Sequence, residues 1–354
     1  MSKLSKLSIP VIQGGMGVGI SLGGLAGAVA ACGGMGVIST ANIGFREPDF
    51  FNNTEEADRR ALVKEIRKAR EIAGGKGLIA VNAMAATTRY DAMVRTACEE
   101  GVDAVISGAG LPLELPALTE GFEVMIAPIV SSGRAAKTLL TAWQRRHGRK
   151  ADFVVVEGSR AGGHLGFGRE ELTEGRAKPL AEIVAEVCAV CRDFSKAREG
   201  GGPIPVFAAG SVFDRRDMTE VKKAGARGVQ IATRFIACRE CDASQGFKDV
   251  ILAAGAEDVM ILKSPVGMPG RGLRTPLMEK VAKGERLLPK KCVRCIRTCN
   301  PETTPYCISR ALTAAFYGNY EEGLFFCGGN VGRVKEMTTA AALMEELSQD
   351  WSKA

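Results

Sequence analysis

The sequence contains no apolar run of about 20 residues, the length a helix needs to cross a bilayer, so no membrane span is expected. No leader is expected either: MSKLSKLSIPVIQGG reaches a strand too early for a signal peptide. No short-period repeat and no low-complexity tract occurs, which excludes solenoids and arrays. Basic charge is not concentrated. The net charge of +7 is spread along 354 residues, with blocks only at 145–150 and 290–297, a pattern of solubility rather than nucleic-acid binding. Histidine is scarce, with two in the chain. Cysteine is not, and eleven thiols without an export signal read as reduced groups or metal ligands in a cytoplasmic protein.

What is present is organised around residues 153–168, FVVVEGSRAGGHLGFG. Four apolar β-formers from Phe153 to Val156 predict a parallel strand buried on both faces. Glu157 ends the run, and a glycine-rich loop carrying His164 follows. Glycines admit close approach of backbone to a ligand. A lone imidazole at the end of such a strand marks the mouth of an α/β active site.

Short apolar runs alternate with helical patterns along most of the chain. Strands are predicted at 10–13, 36–39, 78–82, 104–107, 124–129, 153–156, 205–208 and 228–231. Helices are predicted at 22–31, 57–73, 90–100, 113–118, 134–146, 179–194, 215–224 and 244–253, with Asp214 as an N-cap. Eight strand–helix units over about 250 residues fit a (β/α)8 TIM barrel. The alternative, a doubly wound sheet, would carry a Gly-x-Gly-x-x-Gly fingerprint, which GGMGVG at 14–19 only approximates. The expected division is a barrel over 1–263, a small Cys-rich C-terminal lid over 264–328, and a C-terminal helix packing on the barrel within 329–354. Gly210 with Ser211, and Ala232 with Thr233, follow strands seven and eight. Their N–H groups suit a nucleotide or flavin phosphate, and two ordinary turns are the alternative.

Six segments in register carry a more specific signal: IPVIQGGMG (9–17), LIAVNAM (78–84), VISGAG (105–110), VVVEGSRAGGHLG (154–166), PVFAAGSV (205–212) and VQIATRF (229–235). In these the chain resembles the nitronate monooxygenase (2-nitropropane dioxygenase) family, which includes FMN-dependent enoyl-acyl-carrier-protein reductases, over roughly residues 7–280. The resemblance implies a flavoprotein oxidoreductase with FMN at the barrel mouth. Gly14, Gly15 and Met16 would lie against the isoalloxazine, and Asn82 and Glu157 would hydrogen-bond its polar parts. Gly162 and Gly163 would let their loop approach the flavin. Gly210, Ser211, Ala232 and Thr233 would hold the phosphate, and His164 would be the base or polar partner at the substrate carbon. Two positions depart from the family pattern: Arg160 stands where an acidic residue is usual, and Ala232 where glycine is usual.

Cys292, Cys295, Cys299 and Cys307, spaced C-x2-C-x3-C-x7-C, are candidate ligands for zinc or an iron–sulfur cluster, or structural thiols in a compact lid. The leading expectation is oxidation of alkyl nitronates with O2. The alternative is NAD(P)H-dependent reduction of an enoyl thioester, with Arg160 and the basic lid holding carrier or CoA phosphates. A non-catalytic flavin- or metal-binding redox sensor is the reading of another class. The expected partner is a small-molecule substrate, with no nucleic acid and no membrane, and a homodimer is an open assembly.

Overall fold

The computed structural model describes residues 3–196 and 202–354. Its strands are β1 (Val11–Gln13), β2 (Met35–Ser39), β3 (Leu78–Met84), β4 (Ala104–Gly108), β5 (Met125–Val130), β6 (Val154–Glu157), β7 (Gly163–His164), β8 (Val206–Ala209), β9 (Gly228–Ile231), β10 (Val259–Lys263) and β11 (Pro269–Leu273). Eight of them, β1 to β6 with β8 and β9, pair in parallel and close into a barrel through the register of Ile12 with Gln230. The expected TIM barrel is therefore the observed fold.

Alternation along each strand explains why the runs are apolar throughout. Val155 joins Ile12, Val37, Ile106, Phe153 and Phe207 in the barrel interior. Its neighbours Val154 and Val156 face outward and pack with Leu25, Leu62, Leu139 and Val184 of the surrounding helices. Both faces are dry, so no position can be polar without a buried partner.

The helix Gly23–Ala31 shows a stabilisation that spans the chain. Its N-cap residue, Leu22, has no side chain able to cap. Asp242 supplies one from afar, accepting from the N–H groups of Leu22 (2.8 Å), Gly24 (3.1 Å) and Leu25 (3.1 Å). Glu65 accepts from Gly23 N–H at 2.9 Å. Asp242→Ala is expected to cost about 2 kcal/mol, the upper end for loss of a helix cap, and Asp242→Asn distinctly less. Urea denaturation of the three proteins checks this. Equal midpoints would remove the cap from the account.

Beyond the barrel, β10 and β11 form an antiparallel hairpin, and β11 pairs with the two-residue β7, matching Gly270 with His164 and Arg271 with Gly163. The glycine loop that carries His164 is thus an edge of this small sheet. A separate apolar cluster of Leu262, Val266, Leu277, Ile296, Tyr306 and Leu324 holds the hairpin to the segment after it. The final helix, Ala340–Lys353, begins at a Thr339 cap and buries Leu343, Met344 and Leu347. Among the described residues, no helix is long and apolar enough to cross a membrane.

Candidate active site

A cavity of about 430 Å³ opens at the C-terminal ends of the barrel strands, a size in the range of small-ligand sites. Twelve residues singled out from the sequence line it: Gly14, Gly15, Met16, Asn82, Glu157, Gly162, Gly163, His164, Gly210, Ser211, Ala232 and Thr233. They come from loops after β1, β6, β8 and β9 and from β3, β6 and β7, and only barrel closure brings them together.

The loop after β1 is fixed by backbone contacts. Gly14 N–H donates to Ile231 O at 2.8 Å, and Met16 N–H donates to Ser21 Oγ at 2.8 Å. At Gly15 a β-carbon would lie 2.4 Å from Cβ of Asn82, so no larger residue fits this approach of the loop to β3.

Gly210 (φ 76°) and Ser211 (φ 103°) are consecutive residues in the left-handed region, which is strained for serine. No described residue engages either N–H. Residues 327–330, Cys-Gly-Gly-Asn, close over this end. Gly328 N–H donates to Thr233 Oγ1 (2.9 Å), and Asn330 Nδ2 donates to Ser211 O (3.1 Å). Arg160 donates to Asn330 Oδ1 at 3.0 Å and to Gly329 O at 3.3 Å, which places this unusual residue at the cavity rim. Sequence reasoning missed residues 327–330, although their double glycine was a visible signal.

Arg271 shapes the loop before His164. Its Nη1 donates to Ala161 O at 2.9 Å and also to Ser159 O. Glu157 accepts from Gly166 N–H at 3.4 Å, and burial pushes its carboxyl up to about 7, against the opposing pull of that bond and of Arg271. His164 bonds Ser264 Oγ through Nε2 at 2.7 Å, and its ring meets Phe326 edge-on at 5.1 Å. Burial pushes the imidazole down to about 4, so it is neutral at neutral pH.

These shifts have opposite consequences for stability. Glu157 holds its proton longer when folded, so its contribution declines as pH rises from 4.5 to about 7 and is level above. His164 resists protonation when folded, so its contribution declines as pH falls from 6.5 towards about 4. Glu157→Gln is therefore expected to gain stability relative to the parent at pH 8 compared with pH 4.5. Urea midpoints at the two pH values check the sign. A parent–variant difference independent of pH would contradict it.

The cysteine cluster stands apart from the cavity. Cys292 is exposed and Cys295, Cys299 and Cys307 are half-buried. Among the described residues, no group of three or more His, Cys, Asp or Glu side chains is placed to hold a metal. Of the two alternatives raised by the spacing, the zinc or iron–sulfur centre is thus not supported. Cys295 and Cys299 instead pack against the apolar cluster of Ile296 and Tyr306 as small hydrophobes, and burial pushes the Cys295 thiol up to about 11. The second histidine, His147, lies in the last turn of the helix Gly133–His147, outside the cavity lining.

The chain is similar to a protein of Mycobacterium tuberculosis named as a 5-hydroxy-7a-methyl-1-oxo-octahydro-1H-indene-4-carboxyl-CoA dehydrogenase. It is 27% identical over 288 residues, covering 81% of this chain and 69% of that protein. A probable nitronate monooxygenase of Bacillus subtilis is 26% identical, covering 57% of this chain and 52% of that one. Among solved structures, FabK from Thermotoga maritima superposes with a TM-score of 0.75 at 26% identity, covering 99% of this chain and 95% of that one. A nitroalkane oxidase from Streptomyces ansochromogenes shares the fold, with a TM-score of 0.75 at 19% identity. The family profile described as nitronate monooxygenase matches residues 45–350. With that match over most of its length, the chain belongs to the nitronate monooxygenase family of oxidoreductases.

Proposed function

We propose that the protein binds FMN in the barrel cavity and oxidises alkyl nitronates, with O2 as the electron acceptor. The observation that carries this reading is one cavity with a glycine floor, a neutral imidazole and, at its far end, two N–H groups that no described residue engages. The donor set suits a flavin mononucleotide. Gly14 and Gly15 offer a surface free of side chains, Met16 flanks it with a thioether, and Asn82 and Glu157 offer hydrogen bonds to a heterocycle. Gly210 and Ser211, with Ala232 and Thr233, would take a single phosphate through backbone N–H groups. The methyl of Ala232 leaves its own N–H available for this role. When bound, FMN supplies the two-electron chemistry.

This chain's residues would do the rest. The apolar wall of Met268, Leu312, Leu324 and Phe326 would exclude water and seat the substrate's alkyl part beside His164. Because its ring is neutral, His164 can contact an anionic substrate as a hydrogen-bonding group.

A second reading, oxidation or reduction of an acyl thioester, is favoured by Arg160. Its exposed guanidinium at the rim could take a phosphate of a CoA-like tail, and a relative similar over most of this chain is named for a carboxyl-CoA substrate. The test of the shared claim is composition: purified protein, reconstituted with flavin where necessary, should be yellow and release one FMN per chain on heating. Release of FAD, or no flavin after reconstitution, would overturn both readings.

A further inference from the structure

We infer that Arg160 supplies the positive charge at the phosphate end of the cavity, pairing with the 5′-phosphate of the flavin rather than with a substrate tail. The inference rests on the proposed FMN site and adds the residue that makes it selective for a phosphorylated flavin.

The charges of the cavity lining show the need. A phosphate monoester carries about −1.5 to −2 charge at neutral pH. The backbone groups proposed to hold it, at Gly210, Ser211, Ala232 and Thr233, are dipoles without net charge. The helix that follows, Thr233–Ile236, has four residues and a correspondingly small dipole. Two arginines line the cavity, Arg160 and Arg234. Arg234 is spent on Glu346, at 2.8 Å, and on Phe213 O. Arg160 forms no ion pair with a carboxylate among the described residues; its side chain bonds only the oxygens of Gly329 and Asn330. Behind it, Arg271 is also without a carboxylate and is turned to the carbonyls of Ser159 and Ala161. Glu157 is the acid of the lining, and burial keeps it partly protonated at neutral pH. Positive charge is therefore left over at this rim, and an anion completes it.

Position then assigns the partner. Arg160 O accepts from Gly329 N–H at 3.0 Å, and Arg160 Nη2 donates to Gly329 O at 3.3 Å and to Asn330 Oδ1 at 3.0 Å. Asn330 in turn donates to Ser211 O at 3.1 Å. The next residue in the chain, Ala161, abuts the same turn: a β-carbon at Gly210 would lie 2.6 Å from Ala161 Cβ. The guanidinium is thus tied, through one asparagine, to the turn whose N–H groups are unengaged. Gly329 admits it closely, since a β-carbon there would stand 3.2 Å from Arg160 Nε. Both side-chain bonds leave from Nη2, so Nε and Nη1 have no partner among the described residues. That edge of the fork is free to donate to phosphate oxygens.

A phosphate on a substrate tail offers the same chemistry, and the test separates the two sources. Flavin-free full-length protein is titrated with FMN and with riboflavin, which lacks the phosphate. Arg160→Gln should raise the Kd for FMN about 10-fold and leave that for riboflavin within about 2-fold. Arg160→Lys should recover most of the loss, and Arg160→Glu should deepen it. Raising NaCl from about 0.05 to about 0.5 M should weaken FMN binding by the parent more than by Arg160→Gln. An equal loss of FMN and riboflavin would overturn the inference and make Arg160 a fastener of residues 329–330. Unchanged FMN affinity would overturn it too, and loss of coenzyme A binding by the FMN-loaded variant would then give Arg160 to the substrate tail. A parent that binds neither flavin would refute the FMN reading itself, and this inference with it.

Discussion

His164→Ala should lose about 10²–10³-fold in turnover while the flavin stays bound and the fold survives. The imidazole lines the cavity directly, and its hydrogen-bond and ring partners among the described residues are Ser264 and Phe326. It belongs to none of the packed apolar clusters, so truncation opens space towards the existing cavity and creates no new void. Loss of the bond to Ser264 should cost about 1 kcal/mol of stability, which leaves most of a domain's margin intact. The readings are kcat on an alkyl nitronate, flavin absorbance per chain and the urea midpoint. Unchanged turnover with bound flavin would remove His164 from the chemistry. Loss of flavin together with activity would make it a structural residue.

The second large effect is expected at Gly162. A β-carbon there would sit 2.4 Å from the carbonyl carbon of Cys327, 2.7 Å from its oxygen and 2.7 Å from Gly328 N. Those neighbours are backbone, so no rotamer change can relieve the clash. Gly162→Ala must push residues 327–330 away from the cavity and pull Gly328 N–H off Thr233 and Asn330 off Ser211. Overpacking of this kind costs about 1–3 kcal/mol. The functional effect should be larger, because the same movement unmakes the end of the cavity proposed to hold the phosphate. Flavin retention after dialysis is the readout, and Gly175→Ala is the control. Gly175 has positive φ, at 69°, but nothing lies within 4 Å of where its β-carbon would stand. Retention equal to that control would show that the 327–330 segment does not close the site.

The barrel was readable because each strand is a short apolar run dry on both faces, and β3, β6 and β9 fell within two residues of the expected bounds. That the glycine loops line one cavity was readable for a related reason: in this architecture the strand ends converge on one mouth. The supports of the site were not. Asp242 caps a helix 220 residues away in sequence, and no local pattern distinguishes it from a surface carboxylate. The sheet of β7, β10 and β11 was hidden by Gly270 and Gly272. Their glycines read as loop, whereas a β-carbon at Gly272 would lie 2.5 Å from the Phe325 carbonyl oxygen. Ser264 lies beside a proline in the same stretch, and only the β7–β11 pairing brings that region against His164. The cysteines left two readings open, metal ligands or structural thiols in a compact lid, and the packing of Cys295 and Cys299 against the apolar cluster favours the second.

The central claim, a flavin site in which a nitronate is oxidised beside His164, is tested most directly by anaerobic spectroscopy of the FMN-loaded protein. Addition of an alkyl nitronate without O2 should bleach the flavin absorbance, and admission of O2 should restore it. Bleaching by NADH or NADPH but not by any nitronate would contradict the claim and leave the thioester reading in its place.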